Sequence, residues 1–191
     1  MNAVIYIHGK GGSATESEHY IPLFPNCEVI GLDYQPFFDL KGTECGVAIT
    51  PWEAGKEIRI AVEELKSKYE NVILIANSIG AFFCMNACID NMIQKAYLIS
   101  PVVDMEKLNG YELTGEWLRY VKSHPVKWSV PTCILYGSKD DFVSLDTISD
   151  FAKTHNVPLT VMEGGEHWFH TEEQMRYLDK WIKEYESSTA I

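Results

Sequence analysis

Apolar residues along this chain gather into short runs separated by helical patterns. Val4 to Ile7, Cys27 to Leu32, Val72 to Ala76, Ala96 to Ser100, Thr132 to Tyr136 and Leu159 to Met162 each have strand length and are rich in Val, Ile, Leu and Tyr. Runs apolar on both faces belong to strands covered on both faces, which is how a parallel sheet between helix layers reads. The intervening segments carry helix signals. Thr50-Pro51-Trp52-Glu53 supplies a capping hydroxyl, a proline at the first helical position and a glutamate three residues after the cap. Ala54, Ile58, Ala61, Val62, Leu65 and Tyr69 then share one face, so a helix is predicted from about Pro51 to Lys68. Ser144 opens another, with Leu145, Ile148, Phe151 and Ala152. Thr171-Glu172-Glu173-Gln174 caps a last one, whose stripe is Met175, Leu178, Trp181, Ile182 and Tyr185. Ile79 to Ile89 is apolar nearly all round and reads as a buried helix.

This alternation predicts an α/β fold: a three-layer α/β/α sandwich around a mostly parallel central sheet of about six strands. At 191 residues, with no repeats or linker-like stretches, one domain over 1–191 is expected. Two irregular regions interrupt it. Asp33 to Ile49 is rich in Gly and aromatics, and Pro101 to Val130 holds one short helix starting at Thr114. Long excursions in a compact domain tend to border functional sites.

Charge narrows the partners. The net charge of −11 repels phosphate backbones and anionic lipid surfaces, so neither nucleic acid nor a membrane is an expected partner. The chain enters its first strand with no basic leader and has no apolar stretch longer than a strand, which predicts a cytoplasmic protein. Five cysteines (Cys27, Cys45, Cys84, Cys88, Cys133) without C-x-x-C spacing read as thiols in a reducing compartment. Cys84 and Cys88 read as core packing on the buried helix, and no metal is expected.

Candidate chemistry lies in the loops. The run Val72 to Ala76 passes through Asn77-Ser78-Ile79-Gly80 into the buried helix, placing a serine at the apex of a strand, tight turn, helix unit with small residues around it. An ordinary helix-capping serine would look similar. Two further loops follow strands: Gly137-Ser138-Lys139-Asp140-Asp141-Phe142-Val143 and Glu163-Gly164-Gly165-Glu166-His167. In a parallel sheet all three open on one edge, so Ser78, an aspartate and His167 can converge.

Together with Ile7-His8-Gly9-Lys10-Gly11-Gly12-Ser13, these motifs resemble the α/β-hydrolase-fold serine hydrolases over essentially the whole chain, and in particular small bacterial esterases without a large lid. The chain departs from that family in having Ala76 for the usual first glycine of the elbow, and in lacking two leading antiparallel strands. The resemblance implies Ser78 as nucleophile, His167 as general base and then acid, and Asp140 as the group that orients His167. It also implies the backbone N–H groups of Lys10 and Ile79 as oxyanion donors. Asp104, a position that some relatives use, and Asp141 are the alternative acids; the Gly137 to Val143 spacing favours Asp140. The implied substrate is a small-molecule carboxylic ester or thioester, with no cofactor. About thirty residues, 101–130, would form a cap-like insertion, and Phe37, Phe38, Trp52 and Trp117 would edge a shallow apolar pocket.

Other readings compete. Gly9-Lys10-Gly11-Gly12-Ser13-Ala14 fits a dinucleotide-binding fingerprint, with Asp33 roughly twenty residues on. Glu16 and Glu18 facing a pyrophosphate, and Pro22 and Pro25 in the crossover, speak against it. A non-catalytic binding protein on the same fold is the other alternative. His8 is expected to hold its loop by hydrogen bonding, and His19 and His170 to be solvated or locally bonded. Trp117, Tyr120 and Trp128 fit core or pocket wall equally.

Overall fold

The computed structural model describes residues 1–34, 50–110 and 112–188. Six strands form one sheet: β1 (Asn2–Ile7), β2 (Cys27–Leu32), β3 (Asn71–Asn77), β4 (Lys95–Ile99), β5 (Thr132–Gly137) and β6 (Leu159–Met162). Their order is β2-β1-β3-β4-β5-β6, and every pairing is parallel. The five α-helices are α1 (Pro51–Lys68), α2 (Ile79–Asn86), α3 (Gly115–Ser123), α4 (Leu145–His155) and α5 (Glu172–Ser188).

The sheet's two-residue side-chain period divides the interior into two cores. Ala3, Ile5, Ile7, Leu74 and Leu98 face α1, α2 and α4, meeting Ile58, Val62, Phe82, Phe83 and Ile148. Val4, Tyr6, Ile73, Ile75 and Tyr97 face the other way, onto Leu178, Trp181 and Ile182 of α5 and onto Tyr20, Leu23 and Phe24. The sandwich is therefore three layers deep, as the patterning predicts. Coverage is weaker at the sheet margins: β2 and β6 are largely half-buried, because each pairs with a single strand among the described residues.

Capping signals mark the helix starts. Thr50 and Glu53 form a reciprocal capping box at α1, Ser144 accepts from Thr147 N–H at α4, and Gln174 N–H donates to Thr171 before α5.

Several expectations are corrected. The buried helix ends at Asn86, and Cys88 beyond it is exposed with φ 55°, so Cys84 and Cys88 share no core face. Residues 14–23, which the patterning leaves unassigned, form a 3-10 helix (Ala14–Leu23) with Pro22 inside it; its weak amphipathicity gives no periodic signal. His19 is not local, since its Nε2 pairs with Asp179 of α5 at 2.7 Å and ties this helix to the far layer. Trp128 belongs to the core, its indole N–H donating to Thr132 Oγ1.

The 3-10 helix lies so close to β2 that a Cβ atom on Gly31 would come within 2.0 Å of the Ala14 carbonyl oxygen. Gly31→Ala must push two backbones apart and is expected to destabilise the protein by about 1–3 kcal/mol in urea unfolding. An unchanged midpoint would contradict this contact.

Candidate active site

Ser78 stands between β3 and α2 with φ 51° and ψ −124°, a conformation that costs a non-glycine residue on the order of 1–3 kcal/mol. Neighbouring backbone holds it there. Its N–H donates to Ile99 O at 3.0 Å, and its carbonyl accepts from Ala81 N–H at 3.1 Å and Val102 N–H at 3.0 Å. Gly80 lets α2 abut the end of β1: a Cβ atom there would sit 2.5 Å from the His8 carbonyl oxygen. The elbow thus needs its second small residue more than its first, and Ala76 sits in the strand without penalty.

The raised hydroxyl meets two loops. Ser78 Oγ lies 2.8 Å from His167 Nε2, and His167 Nδ1 lies 2.7 Å from Asp140 Oδ2. With the proton on Nδ1, the serine hydroxyl donates to Nε2 and the imidazole donates to the carboxylate. The Asp140 side chain is fully buried, and that of His167 nearly so. Asp140 Oδ1 also accepts from Phe142 N–H at 2.9 Å and Val143 N–H at 3.0 Å, so one carboxylate both folds its own loop and orients the imidazole. The acid and histidine loops are joined directly. Ser138 N–H donates to Met162 O, Lys139 N–H to Gly165 O, and Gly164 N–H to Ser138 Oγ. Tyr136 braces the acid loop through Val143 O at 2.6 Å. Burial first, and then the nearby Asp140 charge, push the Tyr136 phenol up to about 12, so it remains a donor at neutral pH.

The alternative acids lie elsewhere. Asp104 Oδ1 caps a short 3-10 turn (Met105–Lys107) through Glu106 N–H, and its Oδ2 faces Lys107 at 3.6 Å. Asp141 is exposed. His170 Nδ1 bonds to Trp168 O rather than to an acid of this cluster.

Lys10 lies in a Gly9 to Gly12 turn closed by Gly12 N–H to Gly9 O at 3.2 Å. His8 holds the turn as expected: it is buried, stacks on Tyr34 at 4.3 Å, and its Nδ1 donates to Gly9 O at 2.8 Å, while the Tyr34 hydroxyl donates to His8 O. Ile79 is the first residue of α2, where a backbone N–H has no intrahelical acceptor. Lys10 and Ile79 line, with Ser78 and His167, a cleft of about 460 Å3.

Trp117 also lines this cleft, whereas Trp52 does not. The start of α1 carries Trp52 against Tyr120 of α3, with ring centroids 5.3 Å apart. Phe37 and Phe38 lie outside the described residues. The remaining wall comes from residues that the patterning did not single out for it: Val102, Leu108, Phe142, Trp168 and Glu16. Trp168 was findable as the neighbour of His167, and the residue is 65% exposed. Val102 and Leu108 carried only the signal of the irregular segment after β4.

The fingerprint-like turn is differently employed. Ala14 N–H, which a pyrophosphate would need, donates to Asp33 Oδ1 at 2.6 Å, and the Glu16 carboxylate packs against Gly12. The segment is a 3-10 helix with Pro22 inside it rather than the α-helix of a dinucleotide-binding βαβ unit, which argues against the dinucleotide reading.

No family model and no curated protein matches the sequence. Solved structures do. Est1E from Butyrivibrio proteoclasticus superposes with a TM-score of 0.72 at 18% identity, covering 98% of this chain and 87% of its own. A second structure of Est1E carries ferulic acid. A serine hydrolase without a lid from Xanthomonas campestris gives 0.68 at 15% identity, over 96% of this chain and 79% of its own. An alpha-beta serine hydrolase homologue from Coxiella burnetii gives 0.68 at 13% identity, over 97% and 84%. The protein has the α/β-hydrolase fold.

Replacing Asp140 by alanine leaves the Phe142 and Val143 N–H groups and the His167 imidazole without their acceptor. Asp140→Ala is therefore expected to lower unfolding stability by about 2–4 kcal/mol, and Asp141→Ala to stay within about 0.5 kcal/mol, as read by urea titration. Equal effects would remove Asp140 from its structural role.

Proposed function

We propose that this protein is a serine hydrolase that cleaves a small carboxylic ester or thioester through an acyl-enzyme on Ser78. The observation that carries the reading is the hydrogen-bonded chain Ser78–His167–Asp140, ending on a serine held in a left-handed backbone at the mouth of a cleft. A helix-capping serine needs none of this, and Ser78 makes no side-chain cap bond. The esterase and serine hydrolases among the structural neighbours support the hydrolase class, and the ferulic acid in Est1E supports a small organic acid as a fitting product.

In this mechanism His167 Nε2 takes the Ser78 hydroxyl proton as Oγ attacks the ester carbonyl carbon. Asp140 keeps the imidazole proton on Nδ1 and stabilises the cation that forms. The tetrahedral oxygen, now negative, accepts from the N–H groups of Ile79 and Lys10, each such donor contributing roughly 3 kcal/mol. Collapse breaks the bond to the alcohol or thiol, which leaves with the proton from His167. A water then attacks the acyl carbon with His167 again as base, and the acid departs from a regenerated Ser78. Residues 101–130 act as a minimal cap, supplying Val102, Leu108 and Trp117 to the cleft. No described helix is long and apolar enough to cross a membrane. Free thiols suit the cytoplasmic location that belongs to the same proposal.

A fluorophosphonate probe is expected to label wild-type protein and not Ser78→Ala; labelling of the variant would remove Ser78 from the mechanism. With a nitrophenyl ester, Asp140→Asn should lower kcat by up to about 10⁴, while Asp104→Asn stays within about tenfold. Rates should peak at short acyl chains, because the cleft formed by the described residues has a volume of about 460 Å3, which suits a small acyl group. A maximum at long chains would overturn that substrate class.

A further inference from the structure

One wall of the cleft carries a charge that ester hydrolysis does not use. Glu16 reaches it from the 3-10 helix, partly buried, with Oε2 accepting from the Tyr6 hydroxyl at 2.5 Å. The carboxylate lies under the turn that presents Lys10 N–H, so near Gly12 that a Cβ atom there would come within 2.8 Å of Oε1. Burial foremost, with the nearby Tyr20 and Glu16 contributing, pushes the pKa of Tyr6 upward; its hydroxyl therefore stays a donor toward Glu16.

A carboxylate has about four acceptor positions, and Tyr6 takes one. A ligand that fills the cleft strips water from the others, and a charge left unmatched in that setting is costly. Trp117, Phe142 and Trp168 line the same cleft, and aromatic side chains are the apolar surface most compatible with a cation. Lys10 is exposed to water, where screening weakens its charge; Glu16 is partly buried, where its own acts more strongly. The protein's −11 charge also draws cations toward it during encounter.

We propose that this cleft selects esters or thioesters carrying an ammonium group, with Glu16 as the specificity-determining residue. The proposal rests on the hydrolase reading for its reaction and on the cleft alone for its binding preference.

Two soluble ligands of nearly equal shape test it: choline, and its uncharged counterpart 3,3-dimethylbutan-1-ol. Binding is read by the fluorescence of the cleft tryptophans in the Ser78→Ala protein. Choline should bind about tenfold more tightly at low salt, and the advantage should shrink as salt rises. Glu16→Gln, which keeps an oxygen for the Tyr6 hydroxyl, should bring the two ligands to parity, and Glu16→Asp should retain a preference. Equal binding in the Glu16 protein overturns the proposal without need of any Glu16 variant, as does a preference that survives in Glu16→Gln. Fluorophosphonate labelling of wild type reads the hydrolase proposal separately. Labelling without cation preference overturns only the ammonium site, and a Glu16-dependent preference without labelling overturns only the hydrolase.

Discussion

A serine at φ 51° persists only where its surroundings over-determine it, and here the ends of β1 and β4 do so together. The end of β4 receives the Ser78 N–H, the segment after β4 donates back to its carbonyl, and the His8 carbonyl beyond β1 abuts Gly80 so closely that no side chain fits between them. The strain lifts the hydroxyl off the sheet and frees the first N–H of α2 beside it. In the proposed mechanism, nucleophile exposure and an oxyanion donor are thus two results of one backbone turn. Rebuilding the turn in an unstrained form would lose both.

Parallel strand direction supplies the remaining parts of the site. Each strand ends on the same edge, so the loops after β1, β3, β5 and β6 meet there although they are distant in the chain. Direction brings the loops to one edge; hydrogen bonding between them sets the detail. The joined loops after β5 and β6 leave Asp140 with one oxygen for its own backbone and the other for His167. The imidazole orientation is therefore part of the fold's own hydrogen bonding, and it is present before any substrate arrives.

The connection after β4 links the cleft wall to this frame. Asn109 donates from its backbone to Phe142 O at 2.8 Å and from its side chain to Asp141 O at 3.0 Å. Leu108 is thereby held beside the acid loop, and the wall it shares with Trp117 and Phe142 is apolar. Glu16 reaches the same cleft from the other side, beneath the Gly9 to Gly12 turn and hydrogen-bonded to Tyr6.

The sequence by itself determined much of this. Apolar runs of strand length, a capping box at Thr50 and Glu53, and turn residues after each run are local features, and local features set secondary structure by short-range physics. The parallel sheet followed from double-sided coverage, and Ser78, Asp140 and His167 followed from the loops that such a sheet brings to one edge. What depends on packing across the sheet was not legible. The 3-10 helix at Ala14–Leu23 has no periodic stripe, and the His19–Asp179 pair spans most of the chain. Trp52 and Trp128 have the same composition as Trp117, yet one packs on Tyr120, one is enclosed in the core, and only Trp117 lines the cleft. Glu16 entered the sequence reading only as a charge that would face a pyrophosphate, and the fold carries it beneath the Lys10 turn. A side chain's type is written in the chain, but which neighbours desolvate it is decided only when distant segments close around it.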